Sequence, residues 1–505
     1  MKSQSTFFII VVIFLSLNVC SKGQGISNLW NMGYDENGAG FGGSDVNFFY
    51  NRPDTSRVHR WISFEFANAN ICDSTGQLLF CTNGFDVADR NSNAMPNGHG
   101  LFGSSNPSGW VRFGSPELQG AIILPDPGNP NHFYIYHVLS ELYINFPAYA
   151  ALFPEALYSS EVDMTLNGGL GDIVNKNTVI LQDTLYTGQL MACKHANGRD
   201  WWLIVPEFGR GSYYRFLLTA AGLQLIGTQQ IGLRHRSYGQ TAFSQDGNYY
   251  AYFNSYSGLE VFRFDRCSGT FSDPQFLGNI DTVQSGFGLA FSPDSKKIYL
   301  SLGLFIYQLD LDATSLAASK KLVGIWDGYY DRYPFGTMFG LLKLAPDGKI
   351  YISTGNSTHY LHCIENPDII GVGCNLVQRA VKLPTWNFNS FPNHPNYFLG
   401  PVIGSVCDTV TKIADFEIKK NAIKASPNPA LSNSVLTIQY PTLENSGAKL
   451  QLYDVNGKLV LEEILPPWSQ VHNLRIPVNS EGMFMVRIFS DKYESSSKIF
   501  ILSIE

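Results

Sequence analysis

The chain carries little charge. Only 15% of its 505 residues are charged, the net charge is −7, and no run of Lys or Arg is long enough to follow a phosphate backbone. Nucleic acid is therefore excluded as a partner. Beyond the first 17 residues there is no apolar stretch long enough to span a bilayer, so the mature chain is expected to have no transmembrane span. C-x-x-C is missing, which removes a zinc ribbon or a thioredoxin-like motif. H-E-x-x-H, G-x-S-x-G and a Gly-rich phosphate loop closed by Lys are missing too. No catalytic residue, metal site or cofactor is assigned from the sequence.

What is abundant is material for short strands. Aromatics reach 14%, with 35 Phe and 26 Tyr, alongside 47 Gly and 25 Pro. Such a mixture suits all-β folds with many tight turns. The chain opens with Met1 and Lys2 and an apolar run from Phe7 to Leu17, broken only by Ser16. Eleven residues rise about 16 Å as a helix, about half of a bilayer core. Residues 1–23 are therefore read as a secretory signal peptide. Leu17-Asn18-Val19-Cys20 loosely resembles a lipoprotein signal, but Val19 is large where such signals want a small residue. Export permits disulfides. Among the eight cysteines, Cys363 and Cys374 flank a turn-rich stretch and are expected to close a short loop worth about 2–3 kcal/mol. Cys72 and Cys81 sit on one hairpin but out of register, and are not paired.

Internal repeats decide the architecture. A polar corner rich in Asp, Asn, Gly and Pro recurs between an apolar and an aromatic strand. It is clearest from Thr241 (TAFSQDGNYYAYFNS), Leu289 (LAFSPDSKKIYLSLG) and Leu342 (LKLAPDGKIYISTGN), and weaker from Asn70, Ile122 and Ala192. The corner residues Gly76, Gly128, Gly198, Gly247, Ser295 and Gly348 lie 52, 70, 49, 48 and 53 apart. The long interval holds an insertion from about Leu139 to Tyr158, expected to be a loop or short helix. A period near 50 suits a propeller blade, whose sheets bury their faces by stacking radially. The 385 residues from 26 to 410 divide into seven units of 55. Seven blades are expected, the extra one assembled from residues 41–66 and 386–402, so that pairing of the two ends closes the ring.

The segments from Met95 (MPNGHGLFG), Val162 (VDMTLNGGLGDIVNKN), Lys194 (KHANGRDWW), Phe262 (FRFDRCSG) and Phe291 (FSPDSKKIYLS) resemble the propeller region of large secreted Bacteroidetes surface proteins of the gliding-motility-associated kind. That resemblance covers about residues 26–405 and implies a WD-repeat or YVTN-like propeller on an exported protein. No PKD repeats follow it here. Instead, the texture changes after Thr411. Ser426-Pro-Asn-Pro429, a Tyr453-Asp454-Val-Asn-Gly457-Lys458 hairpin with Asn456-Gly457 as a two-residue turn, a Gly482-x-Phe484 strand and a last strand opened by Lys498 follow in order. Together they resemble the type A sorting domain of type IX secretion cargo. The expected division is signal peptide 1–23, β-propeller 24–412, linker 413–424 and sorting domain 425–505. The sorting domain is expected to form a small β-sandwich and to engage the type IX secretion machinery.

Candidate sites are few. His359 and His362 stand three apart, on opposite faces of a strand and poorly placed to share a metal. His195 is read as a turn residue, and the Arg234-His235-Arg236 cluster as a solvated loop. Asp35, Glu36, Asn37 and Asp45 offer oxygens without the spacing of an EF-hand. The positional signal is stronger. The strand before each polar corner should line the channel, and Gly, aromatics and Gln recur at its upstream end. Gln119, Gln189, Tyr238, Gln240, Phe287 and Phe339 are therefore expected to rim a channel mouth suited to a sugar or peptide. The leading expectation is a non-enzymatic binding or adhesion protein, secreted or held at the outer cell surface, with a glycan or surface protein as ligand. An exported hydrolase or lyase acting on extracellular polymers, and a structural part of the surface or motility machinery, are the alternatives.

Overall fold

Each polar corner folds as its composition requires. Gly76 N–H donates to Asp73 O (3.0 Å), Gly198 to His195 O (2.9 Å), Gly247 to Ser244 O (2.9 Å), Ser295 to Ser292 O (3.0 Å) and Gly348 to Ala345 O (3.0 Å). At all five the fourth residue is left-handed, with φ between +62° and +88°. Gly meets that demand without strain; Ser295 meets it at some cost. In the FSxD copies the chemistry repeats atom for atom. Ser244 Oγ accepts from Tyr249 N and donates to Asp246 Oδ1, and Ser292 does the same with Lys297 N and Asp294 Oδ1.

In the computed structural model, residues 25–503 are described apart from 36–40, 50–52, 102–112, 146–149, 187, 235–237, 255, 279, 282–285, 409–422, 442–447, 456, 467–468, 479 and 491–493, and without side chains at 141–152. The signal peptide and Cys20 lie outside the described residues. Every corner joins the first and second strands of an antiparallel sheet. Seven such sheets follow one another: blade 1 (29–58, three strands) and the four-stranded blades 2 (69–99), 3 (121–182), 4 (191–230), 5 (240–277), 6 (288–325) and 7 (342–387). Their first strands are Leu29–Gly33, Ala69–Cys72, Ala121–Asp126, Met191–Lys194, Gln240–Phe243, Gly288–Phe291 and Leu342–Leu344, and they stand side by side around one axis. The protein is a seven-bladed β-propeller, and the faces of neighbouring sheets form its cores. Trp202, Tyr213, Tyr250, Phe262 and Phe271 pack between blades 4 and 5. Trp30, Phe48, Tyr351 and Leu383 pack between blades 7 and 1.

Three details depart from expectation. The insertion in blade 3 is a long hairpin, Asn129–Asn145 with Ala150–Asp163, rather than a loop or helix. The ring closes without a shared sheet. The last strand of blade 7, Leu376–Asn387, bulges so that Thr358 pairs with Asn387 and Tyr360 with Lys382. Leu383 to Trp386 thus stand opposite His359 alone. The bulge reaches blade 1, where Thr385 Oγ1 donates to Gly42 O (2.8 Å) and Asn387 Oδ1 accepts from Gly33 N (3.1 Å). Residues 388–402 contribute no strand. They carry Pro392, Pro395 and Pro401, which lack a ladder donor, and run through the ring as a strap. The third departure concerns the cysteines. Cys363 and Cys374 stay as separate buried thiols, one in the core shared by blades 7 and 1, the other in that between blades 6 and 7. The disulfide of the described residues joins Cys267 in blade 5 to Cys407 just beyond the strap, across 140 residues.

A separate core of Ile, Leu, Val and Ala organises residues 423–502. A three-stranded sheet faces a five-stranded one, giving the small β-sandwich. Asn428 of the Pro-Asn-Pro entry accepts from Phe500 N (2.8 Å) and donates to Lys498 O (3.1 Å), tying the entry to the last strand. The hairpin turn is one residue longer than the motif suggests. Asp454 N donates to Lys458 O, and Gly457 is left-handed at φ +78°. A three-residue loop of this kind ends in a left-handed Gly.

Candidate functional site

The axis is filled by the chain itself. Asn393 of the strap donates through Nδ2 to Ala121 O (3.0 Å) and Leu190 O (2.9 Å), and through its backbone to Asn68 O (2.7 Å). Gln119 Nε2 reaches Asn393 Oδ1 (3.3 Å) and Thr241 O (3.0 Å), while its Oε1 accepts from Thr241 N (2.9 Å). Gln240 Nε2 donates to Leu342 O (2.6 Å), and its Oε1 accepts from Leu289 N (2.8 Å). Three amide side chains thus join blades 3 to 7 across the centre. Backbone groups near the axis cannot all be paired within seven short strands, and these amides complete them.

Of the six residues expected at the rim, two line a cavity and four do not. Gln189 is wholly buried beside Tyr252, Phe339 is buried against His362, and Phe287 is partly buried over the blade 7–1 core. Tyr238 alone of the six is largely exposed, at 51%. Gln119 and Gln240 do line a cavity of about 550 Å³ beside the strap, together with Asp246, Arg266, Lys343 and His394. Its charged groups are already engaged. Arg266 Nη2 donates to Gly400 O (2.6 Å) and Lys343 Nζ to His394 O (3.0 Å), both holding the strap. Desolvation inside the ring pushes Lys343 down to about 7.

A second cleft opens where blades 7 and 1 meet, from residues that no sequence motif groups together. It is an open cleft of about 540 Å³ lined by Thr55, Asp331, His359, Tyr360, Lys382, Leu383 and Pro384. Asp331 lies on a short hairpin, Tyr330–Arg332 with Phe335–Gly336, inserted between blades 6 and 7. Its Oδ2 accepts from both the backbone N (3.0 Å) and the ring Nδ1 (2.7 Å) of His359, which fixes the imidazole. An ionised Asp331 places the proton on Nδ1, so a neutral His359 presents Nε2 as an acceptor. Trp386, displaced by the bulge, stands edge-on to His359 at 5.8 Å, with Phe41 on its other side and the Arg332 guanidinium over its ring. Tyr329 meets Tyr360 edge-on and is capped by Arg379, itself bidentate to Asp327. Tyr330, Tyr333 and Phe335 are 45%, 84% and 37% exposed.

Other sequence candidates resolve simply. His195 is a turn residue whose Nδ1 accepts from Asn197 N (3.1 Å). His362 is buried, on the opposite side of its strand from His359. Asp45 pairs with Arg60 and with Asn31, and the backbone N–H of Asp35 donates to Ser63 Oγ (2.9 Å); Glu36, Asn37, His235 and Arg236 lie outside the described residues. Among the described residues, no three His, Cys, Asp or Glu side chains stand close enough to share a metal ion, and no helix is long and apolar enough to cross a membrane.

Residues 424–502 match the secretion system C-terminal sorting domain family. No curated protein matches the chain. Among solved structures, a provisional 6-phosphogluconolactonase from Bacteroides uniformis is 12% identical over 73% of this chain and 100% of its own, at a TM-score of 0.45. A periplasmic gluconolactonase from Pseudomonas aeruginosa is 13% identical over 73% and 100%, at 0.42. Neither is near enough to assign a role to any residue here. The chain is an exported protein, a seven-bladed β-propeller carrying a type IX secretion sorting domain that sends it to the cell surface or the medium.

Proposed function

We propose that the protein is a non-enzymatic binding module, delivered by type IX secretion after a Sec signal peptide, that holds an extracellular ligand on the rim of its propeller rather than in the channel. The observation that carries this reading is the contrast within the ring. The axis is crossed by the strap and its amides, while the cleft at blades 7 and 1 keeps aromatic and polar side chains open to solvent. Binding sites combine apolar walls with a few oriented polar groups, and this cleft has both. The sorting domain supports export, and a disulfide behind the strap suits an oxidising destination.

The test compares host cells making the full chain with cells making a chain that ends at Asp408. The full chain is expected in the surface or medium fraction, and the truncated chain in the periplasm. Equal export of both would refute the delivery route. A second reading rests on the Asp331–His359 pair, because an oriented imidazole is also the form of a general base. Release of new reducing ends from a polysaccharide, abolished by His359→Gln, would establish an enzyme instead.

A further inference from the structure

We infer that the cleft between blades 7 and 1 binds a neutral pyranose glycan; this rests on the binding reading above and names the ligand class for that site. Three features of the cleft point the same way. The first is its build. A β-bulge re-aims side chains out of a sheet's regular alternation, and here the bulged segment puts Leu383 and Pro384 on the cleft wall and half-buried Trp386 against the back of His359. The second is the company of aromatic and polar groups. A pyranose has flat faces of axial C–H and an equatorial belt of hydroxyls. The faces suit aromatic rings, which are broad and apolar, and Tyr360 lines the volume beside the His359 ring. The belt needs donors and acceptors, and Thr55, Asp331, His359 and Lys382 supply both around one volume. The volume of about 540 Å³ lies in the range of small-molecule sites, roughly 300–1,000 Å³.

The third is charge. Asp331 lines the cleft and is committed to His359, while the nearby Asp327 is committed to Arg379. Asp331 and Lys382 bring opposite charges to the same lining, so the cleft has no net charge with which to gather an anion, while a ligand hydroxyl can donate to Asp331. The exposed Tyr330 and Tyr333, 5.7 Å apart, extend the aromatic surface along the hairpin, a shelf for further sugar units of a chain.

The test uses full-length protein recovered from the host medium or surface, in native gels cast with barley β-glucan, glucomannan, xyloglucan or galactomannan, and with alginate or polygalacturonate as anionic counterparts. Retardation is expected on at least one neutral polymer. Tyr333→Ala and Lys382→Ala change exposed side chains and should leave the melting temperature in place while weakening binding at least threefold. Trp386→Ala should weaken it tenfold or more. No retardation on any neutral polymer, or retardation indifferent to all three substitutions, overturns the assignment. Retardation on the anionic polymers alone also overturns it, yet leaves a binding protein standing. Polymer cleavage lost in His359→Gln would instead bring down the binding reading beneath it.

Discussion

The axis and the rim of this propeller are built from similar residues put to opposite uses. At the axis, Gln119, Gln240 and Asn393 give their amide groups to backbone partners in other blades. At the rim, Asp331 and Trp386 hold His359 from two sides, Tyr329 meets Tyr360, and the cleft stays in contact with water. Polar side chains crowded near a symmetry centre are therefore not by themselves a binding site. What separates the two is whether the hydrogen-bonding capacity is already satisfied. If that distinction is right, damage to the axis should appear as lost stability, and damage to the rim as lost binding.

The largest stability effect should come from the fastening behind the strap. Cys267–Cys407 closes a loop of 140 residues, and removing a crosslink of that span frees the unfolded chain by about 5 kcal/mol. Cys407→Ser is expected to lower the urea midpoint sharply while leaving glycan retention of the folded fraction intact. An unchanged midpoint would mean that the strap is held by its hydrogen bonds alone. Next in size is Asn393→Ala. It strips partners from Ala121 O, Leu190 O and Gln119 together. A loss of about 3 kcal/mol is expected in urea unfolding, again without an effect at the rim. A loss below ~0.5 kcal/mol would show that the axis does not depend on that amide.

How much of this could be read from the chain follows the distance between partners. The corners were legible because Asp, Gly and Ser bond to groups within five residues of themselves, as Ser244 does with Tyr249. The sorting domain was legible for a related reason, since its Pro-Asn-Pro, hairpin and closing strand occur in a fixed order. The strap was not. Residues 386–402 read as material for the closing blade, whereas Asn393 finds its partners 272 and 203 residues away. The recurrence of Gln near the inner strands was visible, but the direction of those side chains was not. Gln119 and Gln189 have left-handed backbones, with φ of +54° and +63°, which redirects them into the ring. The cleft escaped notice because Asp331 and His359 belong to different units and meet only through an inserted hairpin. The cysteines misled through proximity. Cys363 and Cys374 are near in sequence yet lie on opposite faces of blade 7.

The last effect in the comparison has a size that depends on pH and vanishes in acid. Glu117 sits in the connection before blade 3, two residues from Gln119, and is almost fully buried. The Ser140 hydroxyl donates to its Oε1, and Oε2 has no partner among the described residues. Burial pushes its carboxyl up to about 7 from an ordinary value of 4.5. Below pH 4.5 the group is protonated in folded and unfolded chains alike and contributes no slope. Between 4.5 and 7 the unfolded chain releases the proton while the folded chain retains it, so stability falls as pH rises. Above 7 the loss is complete, on the order of 3 kcal/mol. Glu117→Gln keeps the acceptor for Ser140 and removes the titration. Its unfolding curve should nearly overlay that of the parent at pH 4.5 and lie above it at pH 8. Equal stability of the two proteins at both pH values would show that the carboxyl reaches water, and that the ring near its axis is less tightly closed than the strap and its amides require.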